Sequence, residues 1–194
     1  MHGFVVSDGS TAVLVDTGVG GPQHVLDDWR VVNRSVADAL GDLDMSPADI
    51  ALVINTHLHF DHCGQNAVFA HAPVYVQRAE LARSAAEEPD LYEWFGFMNA
   101  RFELLDGDAE IMPGLSVLST PGHTAGHQCV VVDGADVLIG DAAYTPLLYA
   151  NPDLVDKVRG QAADVDSWRS SLDRVRALGA SRVHFCHDTG VVHS

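Results

Sequence analysis

The sequence lacks the features of several common classes of protein. It has three cysteines, an odd number with no CxxC spacing, which argues against a disulfide framework. No run reaches the roughly 18 apolar residues of a membrane-spanning helix, and residues 1–20 have no basic start of the kind that signal peptides carry. We therefore predict a reduced, cytoplasmic protein that has no membrane partner.

Basic residues are also scarce. Eleven Lys and Arg stand against 27 Asp and Glu, and the net charge of −16 argues against nucleic acid as a partner. Short-period repeats and low-complexity linkers are absent. At 194 residues, 47% of them hydrophobic, the chain is long enough for a full core, and we expect residues 1–194 to form a single domain.

Histidine, in contrast, is abundant, with 11 residues. The apolar run at residues 50–54 is rich in β-branched residues and predicts a buried strand. Three histidines and one aspartate follow it within six residues: His57, His59, Asp61 and His62. Imidazole and carboxylate groups are ligands that zinc and similar cations prefer. Because residues two apart on an extended segment face the same way, we expect His57, His59 and Asp61 on one side and His62 on the other, which suggests two metals.

Residues of the same types follow three further predicted strands. They are His123 after a strand that ends at residue 120, Asp141 after residues 137–140, and His187 after residues 182–186. A single histidine at a strand end is usually structural, but four strand ends of this kind in one chain are hard to explain as coincidence. We therefore predict that these side chains meet in one centre.

The rest of the chain alternates strands and helices. An Asp-Gly turn between residues 2–6 and 11–15 predicts a β-hairpin, and Ser46 before Pro47 predicts the start of a helical turn. We expect helices at 33–40, 78–86 and 165–178, strands at 72–76 and 128–132, a strand–turn–strand unit at 102–120, and loops at 22–32, 87–100 and 142–163. Because the first strand begins almost at residue 1, we expect the domain to be short at its N-terminus.

Together these motifs resemble the metallo-β-lactamase superfamily over essentially the whole chain. They are Asp16-Thr17-Gly18, the HxHxDH pattern at 57–62, the segment 120–127, Gly140-Asp141 and His187. The resemblance implies an α/β fold, an αββα sandwich in which two mixed β-sheets are flanked by helices. It also implies that the metals lie at one edge of the sandwich.

The same resemblance implies ligands for two divalent metal ions. The ligands are His57, His59 and His123 for the first ion, Asp61, His62 and His187 for the second, and Asp141 as a bridge between both. Zinc is expected, and iron, manganese and cobalt stay open. Classical β-lactamases replace the bridging aspartate, so Asp141 argues against antibiotic hydrolysis. Flavodiiron oxidoreductases carry Glu at the position of His59, so a redox role is disfavoured.

Within the superfamily, the chain is most similar to the N-acyl homoserine lactone lactonases, at residues 55–64, 122–128, 141–145 and 187–188. In those enzymes a tyrosine that reaches the substrate carbonyl stands at the position of Tyr144. We expect a dizinc hydrolase that opens a lactone or a related carboxylic ester by attack of a metal-bridging hydroxide. Tyr144 would stabilise the oxyanion, and Asp61 would also carry a proton to the leaving alkoxide.

Other functions share these ligands. The alternative is a glyoxalase II-type thioesterase, although such enzymes usually add a C-terminal helical region with basic residues. An RNase Z-like phosphodiesterase is disfavoured by the charge of −16. A non-catalytic metal-binding module is disfavoured because structural zinc sites are closed by four protein ligands. The expected partner is a small lactone or ester, and formation of a homodimer is left open.

Several neighbouring residues are expected to have supporting roles. We predict that His127 and Asp16 make hydrogen bonds that orient the metal-binding side chains, and that Cys63 is a small buried thiol. Aromatic residues dominate both cores and ligand pockets, so the aromatic segment at 87–100 fits either role. The candidates for a pocket lining are Trp29, Trp94 and Phe97.

Overall fold

The computed structural model describes residues 1–95 and 100–193. They form two β-sheets, and the first has five strands in the order β1-β2-β3-β4-β5. The strands are β1 Phe4–Ser7, β2 Ala12–Val15, β3 Ile50–Ile54, β4 Pro73–Gln77 and β5 Arg101–Leu105. β1 and β2 form the predicted antiparallel hairpin, and the Asp8 carboxylate accepts hydrogen bonds from the Ser10 and Thr11 backbone N–H groups at 2.8 Å. The strands from β2 to β5 are parallel, so their carboxyl ends lie at one edge.

The second sheet has six strands in the order β11-β10-β9-β8-β7-β6. They are β6 Ala109–Met112, β7 Leu115–Ser119, β8 Gln128–Val132, β9 Asp136–Leu138, β10 Arg182–His184 and β11 Val191–His193. Only β9 and β10 pair in parallel. The strand–turn–strand unit predicted at 102–120 is in fact three strands, of which β5 belongs to the first sheet, and β11 was not predicted.

The inner faces of the two sheets share one apolar cluster. Val13, Val15 and Ile54 from the first sheet pack with Val117 and Val130 from the second, all of them buried. The outer face of each sheet carries its own apolar cluster, which includes residues from helices. The predicted αββα sandwich of two mixed β-sheets flanked by helices is thereby confirmed.

The helices are short, apart from two that the sequence predicts well. They are α1 Gln23–Asp28, α2 Val36–Gly41, α3 Phe60–Cys63, α4 Arg78–Glu87, α5 Pro89–Phe95, α6 Pro146–Ala150 and α7 Val165–Ala177. In α7, Trp168, Leu172 and Val175 form the buried stripe. The Asp164 carboxylate caps its first turn by accepting from the Ser167 backbone N–H at 3.0 Å.

Three predicted loops contain helices, and those predictions are wrong. Residues 22–32 contain α1, residues 87–100 contain α5, and residues 142–163 contain α6 and the 3-10 helix Pro152–Lys157. Helix α1 has no buried residue and no side-chain cap, so neither of the usual sequence signals marks it. Phe97 and Met98 lie outside the described residues. Within the described part of the chain, no helix has the length and apolar character needed to cross a membrane.

Candidate metal centre

The predicted ligands come together in two adjoining groups where the strands of both sheets end. The first group is His57, His59, His123 and Asp141, and the second is Asp61, His62 and His187. Within each group the ligand atoms lie within 4.8 Å of one another. The loops after β3, β7 and β10 carry His57, His59, His123 and His187. Asp61 and His62 lie in α3, and Asp141 lies in the 3-10 helix Gly140–Ala142 after β9.

The first group is built from three imidazoles whose nitrogens converge. His57 Nε2 lies 2.9 Å from His59 Nδ1. His123 Nε2 lies 3.2 Å from His57 Nε2 and 3.1 Å from His59 Nδ1. Burial lowers the pKa of His123 to about 4, and burial also lowers the pKa values of His57 and His59. All three imidazoles are therefore neutral at pH 7, the form in which histidine binds a metal.

Asp141 presents one carboxylate oxygen to each group. Its Oδ1 lies 3.2 Å from both His62 Nε2 and His187 Nε2. Its Oδ2 lies 3.4 Å from His123 Nε2 and 3.7 Å from His57 Nε2. Burial alone would raise the pKa of Asp141, but His62, His187 and His123 together lower it well below its usual value. Asp141 is therefore a carboxylate, placed between the two groups as a bridging ligand would be.

The position of Asp61 corrects one expectation drawn from local spacing. An extended segment would put Asp61 beside His57 and His59, but the chain turns into α3 at Phe60. Asp61 Oδ2 instead lies 3.7 Å from His62 Nε2 and 3.6 Å from His187 Nε2. This is the grouping that the family resemblance implies.

Two buried polar atoms test whether the residues fit a pair of cations. His62 Nε2 and Asp141 Oδ1 have no hydrogen-bond partner, although they are only 3.2 Å apart. Leaving such groups unpaired is costly, and a cation between them would satisfy both. Burial alone would lower the pKa of His62, but Asp141, Asp16 and Asp61 raise it well above its usual value. That concentration of negative charge is a further reason to place cations here.

Asp16 orients one histidine of each group, as predicted for it. Its Oδ2 accepts from His62 Nδ1 at 2.7 Å and from the Thr56 hydroxyl at 2.8 Å, and its Oδ1 accepts from the Thr56 backbone N–H at 2.8 Å. The Thr56 oxygen lies 3.1 Å from His57 Nδ1 and can accept its proton. Nδ1 of each ring is thus engaged in a hydrogen bond, and Nε2 is the nitrogen left to face the other ligands. Cys186, Asp16 and His62 form a third buried cluster of potential metal ligands. In this cluster Asp16 and His62 Nδ1 are already hydrogen-bonded to each other at 2.7 Å.

His127 makes hydrogen bonds to residues around the centre, as the sequence predicted. Its Nε2 accepts from the Asp141 backbone N–H at 3.0 Å, and its Nδ1 lies 2.8 Å from the Thr120 hydroxyl. Burial lowers the pKa of His127 to about 3, so the ring is a neutral acceptor. Cys63 is a buried thiol as expected, with Sγ donating to the His59 carbonyl at 3.2 Å, and burial raises its pKa.

Tyr144 lies beside both groups. Its ring centroid is 5.8 Å from that of His123 and 5.0 Å from that of His187. The hydroxyl donates to the Gly160 carbonyl at 2.9 Å. Burial, and then the charges of Asp141 and Asp61, raise the pKa of Tyr144, so the phenol keeps its proton and can donate it in a hydrogen bond.

Two of the aromatic residues predicted to line a pocket contact the segment of α3. Trp29 is 70% exposed, and its ring packs on Phe60 at a centroid distance of 5.5 Å. Trp94 is also exposed, and its Nε1 donates to the Gly64 carbonyl at 3.1 Å. Trp29 thus contacts a residue of α3, and Trp94 contacts the glycine that follows α3. The prediction that they line a pocket stays a prediction. Phe97, the third candidate, lies outside the described residues.

Two buried polar residues near the centre were not predicted. Glu80, in the first turn of α4, accepts from the backbone N–H of Leu58 and of Gly126, both at 3.0 Å. Gln161, in a loop, bonds to Asp141 and Tyr144. An acidic residue in the first turn of a helix and a glutamine in a loop are ordinary local patterns. Only the long-range contacts reveal their role.

The two-sheet sandwich, with clustered histidines and aspartates at one edge, defines a class of metal-dependent hydrolases. The sequence profile of the metallo-beta-lactamase superfamily matches residues 3–187. The chain belongs to this superfamily. The comparisons confirm the predicted enzyme class, a lactonase-like metal-dependent hydrolase of ester bonds.

Several relatives in sequence are N-acyl homoserine lactonases. One from Bacillus cereus is 34% identical and one from Bacillus sp is 32% identical, each over 91% of this chain and 76% of its own length. Among solved structures, an N-acyl homoserine lactone hydrolase with N-hexanoyl-L-homoserine at its catalytic metal centre has a TM-score of 0.72 and 26% identity, over 90% of this chain and 74% of that one. A probable metal-dependent hydrolase from Staphylococcus aureus has a TM-score of 0.79 and 22% identity, over 96% of this chain and 74% of that one. At this identity the similarity supports the fold and not the function.

Proposed function

We propose that this chain is a dizinc lactonase that opens N-acyl homoserine lactones or closely related cyclic esters. The observation that carries the proposal is the position of Asp141, with one oxygen towards each group of ligands and Tyr144 beside both. The N-acyl homoserine lactonases among its relatives supply the substrate class. A small lactone is therefore the proposed partner.

The residues present fit two divalent ions, held by the ligands described above. Two zinc ions bound there would lower the pKa of water and polarise the ester carbonyl. Water adds to the carbonyl carbon, the bond from that carbon to the ring oxygen breaks, and a carboxylate and an alcohol are formed. The Tyr144 hydroxyl would leave the Gly160 carbonyl and donate to the carbonyl oxygen as negative charge develops on it. Asp61, whose side chain is 22% exposed, would take one proton from the attacking water and pass it to the leaving ring oxygen, and the acid that forms would lose its second proton to solvent.

The function is tested by assaying the zinc-loaded protein against homoserine lactones of several chain lengths, S-lactoylglutathione and bis-p-nitrophenyl phosphate. We expect lactone opening to have the highest kcat/KM. Thioester turnover without lactone turnover would replace the proposal with a glyoxalase II-type activity. Preferential turnover of the phosphodiester would favour an RNase Z-like activity instead.

Replacing Tyr144 with phenylalanine should lower kcat for lactones about a hundredfold, the effect typical of losing one donor to an oxyanion. The metal content should stay that of the unmodified protein, because the hydroxyl donates to the Gly160 carbonyl, which is not a proposed ligand. Tyr149→Phe is the matched control, since Tyr149 packs on Phe185 in the core cluster behind the second sheet. Equal kinetics for the two variants would remove Tyr144 from the mechanism.

Trp29 is expected to contact the acyl chain of the substrate. Trp29→Ala should raise KM for N-decanoyl homoserine lactone about tenfold, the equivalent of roughly two methylene groups that lose apolar contact. KM for N-butanoyl homoserine lactone should change by less than about twofold, because a shorter chain makes fewer such contacts. An equal rise in KM for both substrates would show that Trp29 does not read chain length.

A further inference from the structure

Gln161 connects three residues of the centre. Its side chain is buried, with the residue only 1% exposed. The amide Nε2 donates to the Asp141 carbonyl at 2.6 Å, and the amide Oε1 accepts from the Tyr144 backbone N–H at 3.2 Å. Its own carbonyl lies 3.0 Å from His123 Nδ1 and accepts the proton of that ring. One residue therefore contacts the loop that carries His123 and the loop that carries Asp141 and Tyr144.

These contacts act on the positions of the functional groups. The bond from His123 Nδ1 leaves Nε2 as the metal-binding nitrogen. The backbone of Asp141 is held on both sides, its N–H by His127 and its carbonyl by Gln161. Tyr144 is held at both ends as well, its N–H by Gln161 and its hydroxyl by the carbonyl of the adjacent Gly160. A primary amide is suited to this place because it donates and accepts at once.

We propose that Gln161 is a positioning residue, which sets the segment of Asp141 and Tyr144 against His123. This inference rests on the proposed function, because it concerns the same metal ligands and the same tyrosine. The local pattern gave no sign of this role. Ala163 and Asp164, just after Gln161, donate their backbone N–H groups to the Gly122 carbonyl at 2.8 and 3.0 Å, so the segment is fixed to the loop of His123.

A second buried glutamine provides a matched control. Gln77 is 4% exposed, and its side chain donates to the Gly107 carbonyl and to Gln128 Oε1, both at 2.8 Å, and accepts from the Gly107 N–H at 2.9 Å. None of these partners is a proposed ligand or Tyr144. Gln77→Met and Gln161→Met therefore both remove the hydrogen bonds of a buried amide, but only the second removes bonds to the centre.

The first measurement is metal affinity, by competition of the metal-free proteins with a chromophoric chelator for Zn²⁺. We expect Gln161→Met to bind zinc about tenfold more weakly than Gln77→Met, since partners of metal ligands typically account for 10- to 100-fold in affinity. Equal affinities would overturn the proposal. If Gln161→Met does not fold, Gln161→Asn replaces it, because the shorter amide cannot reach both partners at once. The measurement needs no substrate, so a wild-type protein without lactone turnover would refute the proposed function and leave this test intact.

The second measurement is a double-mutant cycle with lactone as substrate. Gln161→Met should lower kcat about tenfold and leave KM within about twofold, because the geometry at the reacting atoms is disturbed more than binding. In the Tyr144→Phe background the same substitution should have a clearly smaller effect on kcat, since the two residues act as a unit. Fully multiplicative losses would overturn the claim that Gln161 positions Tyr144.

Discussion

Asp141→Ala is expected to lose tight binding of two metals and to lower kcat/KM for the lactone at least about a thousandfold. The Asp141 carboxylate is the only proposed ligand that directs one oxygen to each group. Its removal therefore weakens the binding of both metal ions. Two bound cations contribute several kcal/mol to stabilising the charge of a transition state, and about 4 kcal/mol corresponds to a factor of a thousand. The measurement is zinc content after exhaustive dialysis, followed by kinetics at saturating zinc.

Asp136→Ala is the control for this substitution. Asp136 lies on the neighbouring strand β9 and is also tightly paired, with two contacts of 2.6 Å to Arg182 and one of 2.7 Å to His184. It does not belong to either group of ligands, so this variant should keep its zinc and its kcat. Full retention of two metals by Asp141→Ala would contradict the bridging role.

Much of the centre could be predicted because its residues stand in short, dense motifs. His57, His59 and His62 follow the apolar, β-branched run at residues 50–54, which predicts a strand. His123 and His187 follow other predicted strands. β9 and β10 are neighbouring parallel strands, so Asp141 and His187 follow them at the same edge. β3 belongs to the other sheet, and only the family resemblance joined its histidines to that edge. The assignment of Asp61 from local spacing failed because the chain turns into α3, which an argument from alternation does not include.

Two other supporting residues, Glu80 and Gln161, could not be predicted, for a different reason. The roles of Glu80 and Gln161 depend on contacts across 20 or more residues, such as Glu80 to Leu58 and Gln161 to Asp141. A polar side chain reveals its burial only when the fold is known. Helix α6, in contrast, was predictable, since Thr145 before Pro146 is the same start signal as Ser46 before Pro47, and the Thr145 hydroxyl accepts from the Leu148 N–H.

The second large effect is expected from Glu80, which braces the two loops of the first group. It is fully buried, and its oxygens accept from Leu58, between His57 and His59, and from Gly126, close after His123. A side chain at Gly126 would meet the Glu80 backbone nitrogen at 2.2 Å, so glycine permits this approach.

The buried charge of Glu80 is balanced by Arg83, whose Nη2 lies 2.9 Å away and whose side chain is 8% exposed. Glu80→Ala would leave Arg83 paired, among the described residues, only with the more exposed Glu88, at 2.7 Å, and Glu87. It would also leave two buried backbone N–H groups without an acceptor. We expect the free energy of unfolding of the metal-free protein to fall by about 3–5 kcal/mol, the usual cost of breaking a buried ion pair. Chemical denaturation at constant pH measures this change.

Glu87 provides the matched comparison for Glu80. It contacts the same Arg83 at 3.6 Å, but its side chain is 67% exposed. Glu87→Ala should therefore change the free energy of unfolding by less than about 0.5 kcal/mol, as exposed pairs usually do. Similar losses for the two variants would mean that Glu80 contributes only as a surface charge. A selective loss in Glu80→Ala, with weaker zinc binding by the first group, would show that the stability of this fold and the geometry of its metal centre depend on the same buried carboxylate.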